Sequence, residues 1–160
     1  MEKPIDDVLP PVWAGYTASA WMVVFAAMSF YWALDGTAGI NTVSLGQELA
    51  GDPWFITILW LTGISKIGGG VLALALVQSW GQQLPRRLVL MLAWGVSVLL
   101  VLHGGDFIIQ GALTEDGFIG FPAPVAWTTA HWQTFMWGPW WLLGGIVFCV
   151  ATWNYQRLSR

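Results

Sequence analysis

Four stretches of this chain, from about Val12 to Leu34, Trp54 to Trp80, Arg86 to Leu113 and Trp132 to Tyr155, are long, apolar and almost free of charge. A helix needs about 20 mostly apolar residues to cross a hydrocarbon core roughly 30 Å thick, and each stretch reaches that length. The sequence therefore predicts an all-α membrane protein, a four-transmembrane-helix bundle that forms a single integral membrane domain over residues 1–160. With 56% of residues hydrophobic and 9% charged, an ordinary soluble domain is excluded.

Prolines punctuate the starts of the spans: Pro10 and Pro11, Pro53 and Pro85. A proline in the first helical turn gives up no hydrogen bond that the helix would otherwise make. Pro139 falls a little inside the fourth stretch, where it predicts a kink, or a short interfacial helix over Ala126 to Trp137 ahead of the span proper. Thirteen tryptophans are a packing and anchoring signal, because indole rings favour the two membrane interfaces.

Basic residues flanking spans are retained on the cytoplasmic side. Lys3, Arg86, Arg87, Arg157 and Arg160 all fall on one side of a four-span chain, whereas the loops from Asp35 to Pro53 and from Thr114 to Ala130 carry Glu48, Asp52, Glu115 and Asp116 and no basic residue. Both termini are therefore expected in the cytoplasm. The acidic start lacks the basic stretch of a cleaved signal, so the first apolar segment is expected to stay as an anchor. The tight connection Gly81 to Pro85 predicts that spans two and three form an antiparallel pair.

Several classes of function fall away. One cysteine, Cys149, supports neither a disulfide nor a CxxC redox pair. The scattered basic residues give no continuous surface for nucleic acid. No nucleophile motif is present, and Ser65 points about 100° away from Lys66 on an ideal helix, which removes a Ser-Lys dyad.

Ionisable groups inside spans are costly and rarely face lipid. Lys66 lies near mid-depth of span two and needs a partner. His103, Asp106 and Gln110, at spacing i, i+3 and i+7, share one face of the outer half of span three. Tyr31 and Asp35 end span one at the same level, and His131 and Gln133 begin span four. Tyr31, Asp35, Lys66, His103, Asp106, Gln110, His131 and Gln133 are thus candidates for one polar, ligand-binding pocket in the outer half. His103 and Asp106 are the expected contacts of Lys66, whether as a structural lock between helices, as part of a cavity that binds a ligand or handles protons, or as a site completed by a partner subunit. The two histidines raise bis-histidine haem, and His103, Asp106, His131 and Asp35 a metal site, but neither set has diagnostic spacing. No cofactor and no metal is expected. The glycines around Lys66, in span three and in span four allow close helix approach; Gly68-Gly69-Gly70 could alternatively interrupt span two.

Two motifs carry a resemblance. Tyr31-Trp-Ala-Leu-Asp-Gly36, and Trp140-Trp-Leu-Leu-Gly-Gly-Ile-Val-Phe148 preceded by Trp137-Gly-Pro139, resemble the conserved ends of the bacterial membrane family called domain of unknown function 3995. The resemblance covers nearly the whole chain and implies a small four-helix protein of the bacterial cytoplasmic membrane. It implies no chemistry.

The leading expectation is a binding or accessory component with a polar pocket, in contact with the lipid bilayer and with a membrane protein partner or further copies of itself, and not with nucleic acid. The alternatives are a membrane-embedded isomerase or oxidoreductase acting on a lipophilic substrate such as a quinone or isoprenoid, and a small oligomeric proton-linked transporter.

Overall fold

A computed structural model describes residues 12–43, 46, 48–118 and 125–158; Lys3, Pro10, Pro11 and Arg160 lie outside the described residues. Among those described, all regular structure is helical: α1 (Trp13–Ala33), α2 (Pro53–Ala75), α3 (Arg86–Glu115), α4 (Val125–Trp132) and α5 (Gly138–Leu158). Short 3₁₀ turns at Ile40–Thr42 and Ser79–Gln83 and a π turn at Gln133–Trp137 complete the order.

The helix ends follow from local chemistry. Asp52 caps α2, its Oδ1 accepting from the N–H groups of Trp54 at 2.8 Å and Phe55 at 3.1 Å, and Pro53 takes the first helical position. At the end of α1, Asp35 adopts the left-handed conformation with φ 64°, and the Gly36 N–H bonds back to the Tyr31 carbonyl at 2.9 Å, which satisfies a carbonyl the helix leaves open. α2 runs unbroken through Gly68-Gly69-Gly70, so the glycine triplet does not interrupt it. It stops at Ala75, short of the expected Trp80, where Gln78 N–H returns to Leu74 O at 2.9 Å and Gly81 tucks against the Ala75 carbonyl.

The fourth stretch begins as a short helix, α4, and a π turn over Gln133–Trp137, and α5 follows at Gly138 with no loop between them. α4, the π turn and α5 are contiguous, with the Gly138 N–H bonding the carbonyl of Gln133 five residues back. The wider π turn precedes Pro139, which has no N–H to contribute to an α ladder.

Three helical stretches, Pro53–Ala75, Arg86–Glu115 and Trp127–Leu158, are long and apolar enough to cross a membrane. α1 is of comparable length, but three Trp, two Tyr, two Ser and one Thr among its 21 residues make it less apolar. It is also the most enclosed helix, with eleven of those residues buried, against six of 23 in α2 and six of 30 in α3.

The helices pack as two pairs, α1 with α2 and α3 with α5, joined where α1 meets α5. α2 and α3 scarcely touch, so the short connection between them does not make them the packed pair the sequence suggested. Small residues explain the preference: α3 and α5 approach closely at Gly104 and Gly138, and α1 and α2 at Gly69, against Met22.

The tryptophans divide between two roles. Trp13, Trp54 and Trp127 are exposed, whereas Trp21, Trp32 and Trp137 are buried. Trp21 stacks on Trp140 at 5.5 Å and meets Phe25 edge-on at 5.1 Å, building the core between α1 and α5. Trp137 Nε1 donates to Thr42 Oγ1 at 3.0 Å and ties the 3₁₀ turn after α1 to this core.

Candidate functional site

Lys66 stands thirteen residues into α2, about 20 Å from its start at about 1.5 Å per residue. Its Nζ donates to Ser29 Oγ of α1 at 2.7 Å and lies 3.8 Å from the centroid of the Phe25 ring, with the Trp141 ring at 5.9 Å. Ser29 is only 2% exposed. Met22, Phe25 and Ser29, at i, i+3 and i+7 on α1, form the face that receives the lysine. The expected partners, His103 and Asp106, do not hydrogen-bond it, and no carboxylate lies within 4.0 Å of it among the described residues. A half-buried cation is thus held by one neutral hydroxyl and by aromatic faces.

Because α2 and α3 stand apart, a cleft of about 640 Å³ opens between them. Leu61 and Leu72 of α2 and Leu92, Val96 and Leu99 of α3 form its walls, and Met22 of α1 and Trp141 of α5 reach it from the other pair members. Thr62 and Ser65 also line it, but their hydroxyls are spent on their own helix, donating to Leu59 O at 3.0 Å and Leu61 O at 2.8 Å. Two polar side chains remain for a ligand. Lys66 has N–H donors beyond the one given to Ser29, and His103 packs edge-on against Trp141 at 4.6 Å and beside Phe107 at 4.4 Å without a hydrogen bond in the described structure.

The other candidate residues go elsewhere. Gln110 Nε2 donates to both carboxylate oxygens of Asp106, at 2.8 and 2.9 Å, on an exposed face of α3. Tyr31 accepts from the Ala38 N–H at 3.3 Å, and Asp35 lines a small separate hollow of about 140 Å³ with Trp32 and Phe55. His131 Nδ1 pairs with Glu115 Oε1 at 2.9 Å between the rings of Trp127 and Phe135, and Gln133 sits in the π turn. The structure therefore brings Lys66 and His103 to one cavity and distributes the remaining six over the outer surface and loops. Among the described residues no three His, Cys, Asp or Glu converge in a way that could hold a metal ion.

Ser29, Phe25 and Trp141 are the contacts that the sequence reading missed. Phe25 and Ser29 share a helical face with Met22, and that i, i+3, i+7 set was the available signal. A serine and two aromatic rings in apolar spans look like ordinary packing until the lysine's reach is known.

Together these features define a multi-pass membrane protein, all-helical where it is described, with an aromatic core and a lateral cleft. Residues 22–148 match the model of the family described as Protein of unknown function (DUF3995), and the chain belongs to that family. No curated protein and no solved structure matches it.

Proposed function

We propose that this protein is a four-span component of the bacterial cytoplasmic membrane that binds a lipophilic molecule in the α2/α3 cleft. The molecule's polar head carries oxygen acceptors, as in a quinone, and receives hydrogen bonds from Lys66 and His103. α1 serves as the fourth span despite its polar hydroxyls, because it is the most enclosed helix and has no charged residue. Both termini lie in the cytoplasm on this reading. Arg86, at the start of α3, donates to the Gln156 carbonyl of α5 at 3.1 Å, so the arginine-bearing ends share one side.

The observation that carries the reading is the cleft itself. Its walls are apolar and it opens between two spans, and the two polar groups in it with donors or acceptors to spare are Lys66, which has no carboxylate within 4.0 Å among the described residues, and His103, which makes no hydrogen bond among them. Ligand sites are commonly of this size, mostly apolar, with a few convergent polar groups. The same pair also supports a second reading, an isomerase that moves a proton on the bound lipophile, since an amine and an imidazole facing one cavity are an acid–base set.

Gly68 provides the test. It lines the cleft, and a side chain added there would meet nothing within 4 Å. Gly68→Leu is expected to fill the cleft while leaving the fold intact. Organic extraction and mass spectrometry of protein purified with its lipids should find a stoichiometric lipophile on the wild type, at least about ten-fold less on Gly68→Leu, and an unchanged amount on Gly95→Leu, which is equally open but outside the cleft. Equal retention by all three proteins would exclude the cleft as the site.

A further inference from the structure

Apart from the imidazole of His103, Lys66 is the only ionisable side chain among the described residues that line the α2/α3 cleft. Charged groups inside membrane spans ordinarily pair with one another or with backbone carbonyls, because hydrocarbon does not solvate an ion. The half-buried Lys66 ammonium does neither in the described structure. Ser29 Oγ at 2.7 Å is neutral, and the Phe25 ring at 3.8 Å offers only the partial negative charge of its face. Ser29 lies sixteen residues along α1 from Trp13, about 24 Å at about 1.5 Å per residue, so the lysine is remote from the end at which α1 begins. Asp106, one turn from His103, is engaged with Gln110 on the exposed face of α3. The cleft thus contains a positive charge that no described carboxylate balances.

The cleft is polar in one half and apolar in the other. Lys66 and His103 both pack against Trp141, the ammonium at 5.9 Å and the imidazole at 4.6 Å from its ring, so donors from α2 and α3 flank one indole. From His103 the α3 wall continues through Leu99 and Val96 to Leu92, eleven residues and about 16 Å toward the start of that helix. Opposite this strip α2 presents Gly68, Gly69 and Leu72. No polar side chain lines that half, and Gly68 leaves room in it.

A neutral carbonyl can accept the lysine's hydrogen bonds but leaves its charge unbalanced. A carboxylate does both, and its two oxygens provide one acceptor for each donor. The apolar strip beyond suits an unbranched hydrocarbon chain. We propose that the lipophile of the α2/α3 cleft is a long-chain fatty acid, bound as the carboxylate with its head at Lys66 and His103 and its tail along Leu99, Val96 and Leu92. The assignment rests on the cleft being a lipophile site, and it narrows that site to a ligand of one charge and one shape.

Native mass spectrometry of the full chain in a non-ionic detergent, titrated with myristate or with its uncharged methyl ester, tests it. The wild type is expected to retain one myristate and to prefer it to the ester by at least about ten-fold, the scale of a hydrogen bond between charged groups. Lys66→Met keeps the side chain's length without its charge, and should bring myristate down to the level of the ester. Gly68→Leu should abolish retention of both. Equal retention of acid and ester by the wild type, with both lost in Gly68→Leu, would overturn the fatty-acid assignment and leave the cleft as a site for neutral lipophiles. An undiminished preference for myristate in Lys66→Met, or retention of neither ligand by the wild type, would overturn the assignment too. Retention that Gly68→Leu does not reduce would overturn the cleft reading itself. The comparison of acid with ester on the wild type carries the test alone if Lys66→Met does not fold.

Discussion

The α3/α5 seam and the α2/α3 seam are built from the same materials, glycines and branched aliphatics, yet one is closed and the other open. A methyl group added at Gly104 would lie 2.7 Å from the Leu142 backbone nitrogen and 2.8 Å from the Gly138 carbonyl oxygen, whereas one added at Gly68 would meet nothing. The difference lies in register. Gly104 and Gly111 are seven residues apart and return to the same helix face, so both press on the helix that follows the α3–α4 connection. Gly68, Gly69 and Gly70 are consecutive and fan out by about 100° each. Gly69 and Gly70 face Met22 and Ser19 of α1, and Gly68 turns to the side where α3 stands off.

The largest expected effect breaks the closed seam with one carbon. Alanine ordinarily stabilises a helix interior by up to about 1 kcal/mol over glycine. At Gly104 the sign should reverse, because the obstructing atoms are backbone: Gly104→Ala is expected to destabilise by about 2–3 kcal/mol. Gly105→Ala, one residue on with open space around it, should be neutral or stabilising. Unfolding in detergent followed by tryptophan fluorescence compares the two, and similar behaviour of both variants would mean that the seam is not held by close approach at Gly104.

A smaller effect is expected at the edge of the open seam. Ser29→Ala leaves the half-buried Lys66 ammonium with only its aromatic contacts and should cost about 1–2 kcal/mol, the lower part of the range for leaving a polar group short of a partner. Lys66→Met removes the ammonium with similar length and should cost about 1 kcal/mol. The double variant should cost no more than Lys66→Met, since the hydroxyl then has nothing to serve. Additive losses would show that the two side chains contribute independently and that α1 and α2 are joined by packing alone.

These two sites mark where the sequence stopped being informative. The all-helical class and the helix starts around Pro53 and Pro85 were legible, because apolar length and proline position act locally. Helix pairing was not. The short Gly81 to Pro85 connection favoured α2 with α3, but close approach at glycines selected α1 with α2 and α3 with α5, and only the register of those glycines along each face would have shown it. The polar stripe of His103, Asp106 and Gln110 misled for a different reason. α3 has 30 residues and is about 45 Å long, well beyond a hydrocarbon core of roughly 30 Å, so its last turns need no buried partner. Asp106 and Gln110 bond to each other on the exposed face, and His103 alone turns to the cleft.

The smallest expected effect separates packing from charge at the far end of α3. Gly111 presses on Thr134 and on the Ala130 carbonyl, 2.7 Å from an added methyl position, while Glu115, one turn further on, pairs with His131. Both contacts join α3 to the helix that follows, but they differ in exposure: the His131 side chain is 48% exposed and that of Glu115 20%. Exposed pairs contribute between about 0 and 1 kcal/mol and are screened by salt, because water competes for both charges. Trp127 at 5.4 Å and Phe135 at 4.7 Å already hold the imidazole by ring contact, so losing the charge should not release it. Glu115→Gln retains an acceptor and is expected to shift stability by less than about 0.5 kcal/mol, with the difference from wild type vanishing at high salt. A loss as large as that from Gly104→Ala would mean that charge, and not the register of small residues, closes this end of the seam.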